Sequence, residues 1–316
     1  MSTTLTRPTS VDNGRFEWRR IVRENRAFLI LLAIGLFLRI VTQVLYWPSI
    51  LQWIDAVRYL RVSPHGFFGD DYAPAGYPAF LRGIFFFTTN LGVTVFAQHI
   101  LGLITGTLLY AMVKRVTGIA WLGCIPAGIV FLSGDYLLME HILMSDTLFA
   151  TLATFGLYAA LRALDDPSPR LWLALSGLGM IAAALARPIT LEVPLVVAVW
   201  AVFALGGPWR KRALDVAAAV VPAGVLLAGY LAIASANGPH TGLNEMTSWD
   251  LYSRVAPFAD CSKFTPPPGT AKLCEQSSPD ERPGPQYYSW VDTSPGLYYF
   301  PLTPDGGKKP GEFAQA

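Results

Sequence analysis

The stretch from Ala27 to Trp47 reads AFLILLAIGLFLRIVTQVLYW and carries a single ionisable residue, Arg39. About 20 apolar residues is the length an α-helix needs to cross the hydrocarbon of a bilayer. No water is present there to serve bare amides and carbonyls, so a spanning segment of this kind must close its hydrogen bonds within itself, as a helix does. Six further apolar runs follow: about Val93 to Val113, Ile119 to Ser133, Leu143 to Leu161, Leu171 to Ala186, Ile189 to Leu205 and Ala213 to Ala234. The third and fifth of the seven, Ile119 to Ser133 and Leu171 to Ala186, are short for a span. The expected fold is therefore all-α, a polytopic membrane protein with about seven transmembrane helices in residues 27–234, preceded by a cytoplasmic segment, 1–26.

Composition agrees. Hydrophobic residues make up 53% of the 316 and charged residues only 15%, with a mean hydropathy of +0.40. Soluble chains carry nearer a quarter charged residues. A net charge of +2 is too small to point to nucleic acid as a partner.

Basic residues set the orientation, because Lys and Arg in short loops resist translocation. With the N-terminus inside, Arg7, Arg15, Arg19, Arg20, Arg23, Arg26, Lys114, Arg115, Arg162, Arg170, Arg210, Lys211 and Arg212 fall inside. The short outer loops hold Arg58, Arg61, Arg82 and the boundary residue Arg187. Thirteen against four predicts a multi-pass plasma-membrane protein with a cytoplasmic N-terminus and an extracytoplasmic C-terminus. The N-terminal segment lacks a small-residue cleavage site after a short apolar core, so it is expected to stay attached.

From Ser235 to Ala316 no further run can cross a bilayer, and these 82 residues hold twelve of the 24 prolines. This extracytoplasmic tail is expected to consist of loops and turns. Cys261 and Cys274 lie in the oxidising compartment with twelve residues between them, the setting for a disulfide that closes a small loop. Cys124, inside the third run, reads as packing.

Phosphate loops ending in Gly-Lys-Ser/Thr, zinc helices of the His-Glu-x-x-His type and Gly-x-Ser-x-Gly elbows are absent. The four histidines, His65, His99, His141 and His240, are scattered along the chain, which argues against a His-based metal site. Acids and arginines gather instead in the outer loops. If residues 53–60 coil as a helix, Asp55, Arg58 and Tyr59 share one face, bringing an acid, a cation and a phenol to the membrane surface. Pro74, Gly76 and Pro78 suggest a bend, and the aromatic run Phe80 to Phe87 suggests a helix lying in the interface. The second outer loop brings Asp135, Glu140 and Asp146 around His141. Acids at a membrane boundary are commonly just solvated, and Tyr59 and Tyr77 serve equally as interfacial anchors or sugar contacts. Arg39, costly within a span, snorkels to the surface, forms an ion pair or faces a polar cavity.

Four elements occur in order: Asp55 to Tyr59 (acid-x-x-x-Tyr), Tyr72 to Pro78 (Tyr-x-Pro-x-Gly-Tyr-Pro), Met144 to Phe149 (Met-Ser-Asp-x-Leu-Phe) and Ala186-Arg187-Pro188. With the topology, they resemble the GT-C glycosyltransferases that use polyprenyl-phosphate sugar donors, relatives of protein O-mannosyltransferases and aminoarabinose transferases. The likeness covers about Ala27 to Ala234. It implies a membrane enzyme that moves a sugar to a glycan, lipid or protein acceptor, with the acid of the first outer loop, here Asp55, as general base. It further implies that acids of the second outer loop, Asp135, Glu140 or Asp146, hold a substrate. Arg58, Arg61, Arg82 and Arg187 are candidates for the donor phosphate, since a guanidinium grips phosphate oxygens in two-pronged fashion. The likeness leans towards no metal and no cofactor, Asp70 and Asp71 being the adjacent carboxylates available to magnesium. Members of the group usually continue past the seventh helix with more spans or an outer domain. The Pro-rich tail in that place points to a short member, to a partner subunit, or to a non-catalytic scaffold that binds lipid-linked sugar.

Overall fold

The structure, a computed structural model, describes residues 20, 22–63, 68, 74–237, 243, 247–291 and 293–299. Among them there is no strand, and a lone parallel bridge joins Ile50 to Ile142. Four of the described helices are long and apolar enough to cross a membrane: α1 (Arg26–Leu45), α4 (Leu91–Thr117), α8 (Pro169–Ala186) and α10 (Trp209–Asn237). A bent pair, α5 (Ala120–Leu132) and α6 (Gly134–His141), makes a fifth if its two halves count as one span. Helices also occupy the fourth and sixth apolar runs, as α7 (Asp146–Arg162) and α9 (Val193–Ala204), but both are shorter. Two helices sit between α1 and α4, α2 (Trp53–Val62) and α3 (Gly76–Phe85).

Local chemistry fixes several ends. Asn90 caps α4 by accepting the Gly92 amide, 2.9 Å. At the other end Gly118 takes the left-handed conformation (φ 71°) and returns its amide to the Lys114 carbonyl, while Lys114 and Arg115 complement the helix dipole. Ser133 is extended and breaks α5 from α6 at 53°. The bend expected at Pro74 to Pro78 is in part a helix start: α3 begins at Gly76, and Pro78 lies in its first turn, where a missing amide proton costs nothing.

The chain divides into two compact units, 1–67 with 75–228, and 68–74 with 229–316. In the first, Phe28 stacks on Tyr110 at 3.9 Å beside Ala127, Val130 and Phe131, tying α1, α4 and α5. A second core of Ala160, Ala163, Leu173, Val197, Ala198, Ala201 and Ala219 joins α7 to α10. Side chains such as Ile30, Phe37, Ile125, Val196 and Phe203 stay exposed on the helices, an apolar exterior suited to lipid.

Several basic residues of the loops read as cytoplasmic lie against one another's elements. Lys114 reaches Asn25 at 2.7 Å, Arg115 pairs with Asp165 at 2.8 Å, and Arg170 and Lys211 converge on buried Asp215. The start of α1, the ends of α4 and α7, and the starts of α8 and α10 therefore share one end of the module.

The second unit departs from the loops and turns expected of the tail. Short helices α11 (Thr247–Val255), α12 (Pro285–Trp290) and α13 (Pro295–Tyr299) surround buried Trp249 and Tyr288. Arg282 donates to the carbonyls of Ala256 and Ala259, and Cys261 is bonded to Cys274.

Candidate functional site

At the other end of the module the four sequence elements meet. Asp55, in the first turn of α2, pairs with Arg58 at 2.9 Å, and the Arg58 guanidinium lies 5.3 Å over the Tyr59 ring. Tyr59 packs edge-on to Tyr77 of α3 at 4.7 Å, and its hydroxyl donates to Ser145 at 3.4 Å. Next to Ser145, Asp146 forms an ion pair with Arg187 at the end of α8. Gly76 closes the ring, approaching the backbone of Leu185 and Ala186 so closely that a Cβ would overlap it.

Tyr59 is not a surface anchor. It is buried with Ala56 and Ser63, and the opposite residue Val57 is exposed. Tyr77 is fully buried, and its hydroxyl donates to Gln98 at 2.5 Å. Burial holds the Tyr77 phenol well above its ordinary pKa, and the neighbouring Tyr59 and Asp146 act in the same direction. Arg82 donates to the Ser63 carbonyl at 3.3 Å, and Arg61 is exposed.

A cavity of 320 Å³ opens among α4, α6 and α7, lined in part by Thr105, Asp135, Tyr136, Glu140, Asp146 and Thr147. It brings together the three acids of residues 135–146. Asp55 is not among its lining residues.

Those acids differ sharply in setting. Asp135 is exposed and Asp146 half-buried, whereas Glu140 is only 1% exposed and accepts from Arg39 Nη2 at 2.5 Å. The break after α5 explains why Arg39 sits there: a helix end leaves its last carbonyls without partners, and Arg39 donates to two of these, Val130 and Phe131. Of the roles open to a cation in the first span, the buried ion pair is the one found.

Around Glu140 lies a group that reasoning from the sequence missed. The histidines read as scattered include two neighbours, His99 and His141, with ring nitrogens 3.3 Å apart, and His99 Nδ1 lies 2.8 Å from Glu140. Gln98 donates to the carbonyls of Glu140 and Ile142, both at 2.7 Å, capping the end of α6. The available signal was Gln98-His99 inside an apolar run, because polar side chains at such depth need partners.

No group of three or more His, Cys, Asp or Glu side chains that could hold a metal occurs among the described residues. Asp70, Asp71, Tyr72, His65 and His240 lie outside those residues. No known protein family, curated protein or solved structure matches this chain.

Proposed function

We propose that this chain is a seven-span membrane glycosyltransferase that moves a sugar from a polyprenyl-phosphate donor to an acceptor hydroxyl on the extracytoplasmic face, with inversion. One observation carries the reading: four short elements from distant parts of the chain, chosen for their chemistry and order, join in one network of contacts running from Asp55 to Arg187. In this reading α7 and α9 cross the membrane as well, and the shared basic end of the module faces the cytoplasm.

The network holds the parts such a transfer requires. Asp55 takes the proton of the acceptor hydroxyl as its oxygen attacks the anomeric carbon. The bond from that carbon to the phosphate oxygen breaks, and the polyprenyl phosphate leaves with the electron pair. A placed base of this kind contributes about 10² to 10⁴ in rate. Arg58, ion-paired with Asp55, orients the base, and Arg187, paired with Asp146 of the cavity wall, meets the departing phosphate.

A second reading, a non-catalytic subunit that binds lipid-linked sugar, is favoured by Asp55 being ion-paired and absent from the cavity lining. The test is transfer of label from mannosyl- or arabinosyl-phosphopolyprenol in proteoliposomes of the purified chain with membrane acceptors. Transfer reduced at least a hundredfold by Asp55→Asn at equal expression supports the enzyme. Undiminished transfer in that variant removes Asp55 as base, and donor binding without turnover supports the second reading.

A further inference from the structure

The end of the module that joins the starts of α1, α8 and α10 to the ends of α4 and α7 carries more positive charge than its own acids neutralise. Residues 20–26, 114–118, 162–170 and 206–215 hold ten Lys and Arg against four Asp and Glu. Each of those acids already has a cation: Glu24 pairs with Arg20, Asp165 with Arg115, Asp166 with Arg162, and buried Asp215 with both Arg170 and Lys211. Among the described residues Arg23, Arg26 and Arg210 form no ion pair.

The three successive cations at the start of α10 differ in their ties. Lys211 donates to the Leu205 and Gly206 carbonyls and to Asp215, and Arg212 Nε donates to the Gly207 carbonyl at 2.8 Å, so both are fastened to the turn before the helix. Arg210 is exposed, and its guanidinium lies 5.7 Å from the centre of the Trp209 ring, itself 74% exposed. Further along the face of Arg210 come Leu214 and Val221, both exposed. The opposite face, with Asp215, Ala219 and Ala223, is buried, and the Ala219 carbonyl lies against Gly177 of α8. The outward face thus has a cation and an indole at its head and aliphatic side chains beneath. From Arg210 to Val221 the axis runs about 16 Å, close to half of the roughly 30 Å hydrocarbon of a bilayer.

We propose that this face of α10 is a docking site for an acidic phospholipid. The phosphodiester meets Arg210, the Trp209 indole lies at headgroup level, and an acyl chain runs down Leu214 and Val221. A guanidinium grips phosphate oxygens in two-pronged fashion, and Trp favours the boundary between headgroups and hydrocarbon. Charge decides between lipids. A zwitterionic headgroup brings an ammonium to an end that already has an excess of cations, whereas phosphatidylglycerol brings its phosphate alone. The site lies at the opposite end of the module from Asp55 and Arg187, and it does not depend on sugar transfer.

The test is native mass spectrometry of the full chain released from detergent, with palmitoyl-oleoyl phosphatidylglycerol and palmitoyl-oleoyl phosphatidylcholine added at equal concentration. The parent should retain the acidic lipid about tenfold more often than the zwitterionic one, and Arg210→Gln should lower that preference about fivefold, the share of one cation at a lipid surface. Arg254→Gln, which removes an exposed cation of the second unit, should leave it unchanged. Equal retention of the two lipids by the parent overturns the proposal, and so does an Arg210→Gln variant with the parent's preference. An equal fall in Arg254→Gln also overturns it, since net charge rather than a site would then be responsible. Equimolar glycerol 3-phosphate, a phosphate without chains, should not displace the bound lipid, and displacement would overturn the proposal as well.

Discussion

Arg39 and Glu140, 101 residues apart in sequence, form an ion pair in which neither side chain is more than 2% exposed. Taking two charges out of water is expensive, and their attraction offsets the cost only when the geometry is good and the remaining donors are used. Here Gly35, Val130 and Phe131 take the Arg39 Nη hydrogens and His99 meets the second Glu140 oxygen, while Arg39 Nε is left without a partner among the described residues. Replacing one partner leaves a buried uncompensated charge. Arg39→Leu or Glu140→Leu alone is expected to cost about 3–5 kcal/mol, and the double leucine variant to recover most of it. Thermal melts of the purified protein in detergent check this. Single variants as stable as the parent would show that the pair is solvated rather than buried.

Two glycines of α3 separate close packing from helix propensity. A Cβ at Gly76 overlaps the Leu185 backbone, which cannot turn aside as a side chain could, whereas a Cβ at Gly83 meets nothing within 4 Å. Gly76→Ala should therefore destabilise by about 1–3 kcal/mol through overpacking. Gly83→Ala, in the same helix, should stabilise by about 0.5–1 kcal/mol. The pair of melts has opposite signs, and equal shifts would contradict the docking of α3 against the end of α8.

What the sequence made legible follows from the range of the forces involved. Apolar runs report on local hydration, so α1, α4, α8 and α10 appear close to where hydropathy puts them. The ends of α5 and α6 were harder, because Ser133 breaks an apolar segment without a proline or glycine at that position. The contacts that link Asp55, Tyr59, Tyr77 and Arg187 join α2, α3, the start of α7 and the end of α8, and the order of these elements along the chain does not reveal them. Glu140, His99 and His141 stayed hidden because nothing in the spacing of residues 99, 140 and 141 shows that α4 and α6 will touch. Trp249 and Tyr288 were hidden for a related reason: proline density describes backbone freedom but not the small core that the segments between prolines build.

The ion pair of Asp146 and Arg187 distinguishes substrate binding from scaffolding. If Arg187 grips the donor phosphate, Asp146 competes for the same guanidinium. Arg187→Ala should then raise the donor concentration for half-maximal transfer about tenfold or more, the loss of a hydrogen bond to a charged group. Asp146→Asn should lower it. Lysine at 187 should recover little, because a point charge lacks the planar fork. A purely architectural pair would behave otherwise, with both variants losing binding together, and donor titrations in proteoliposomes separate the two cases.

In the second unit, the phenols of Tyr252 and Tyr288 give a pH dependence with a definite sign. Burial, followed by the charge of Glu275, pushes Tyr288 up to about 12 and Tyr252 further still. Tyr252 also donates its hydroxyl proton to the Leu273 carbonyl at 3.3 Å, a bond that ionisation would abolish. In the unfolded chain both phenols ionise near 10. The folded unit thus holds the proton more tightly, and the stability this contributes is complete below pH 10 and drains away as pH rises towards 12. Amide protection of residues 247–291 in the intact protein should accordingly fall between those values, with the phenolate absorbance of Tyr288 appearing over the same interval. Tyr288→Phe should flatten its share of the decline. A parent protein whose tyrosines all titrate near 10, with protection unchanged up to pH 12, would show that neither phenol is enclosed.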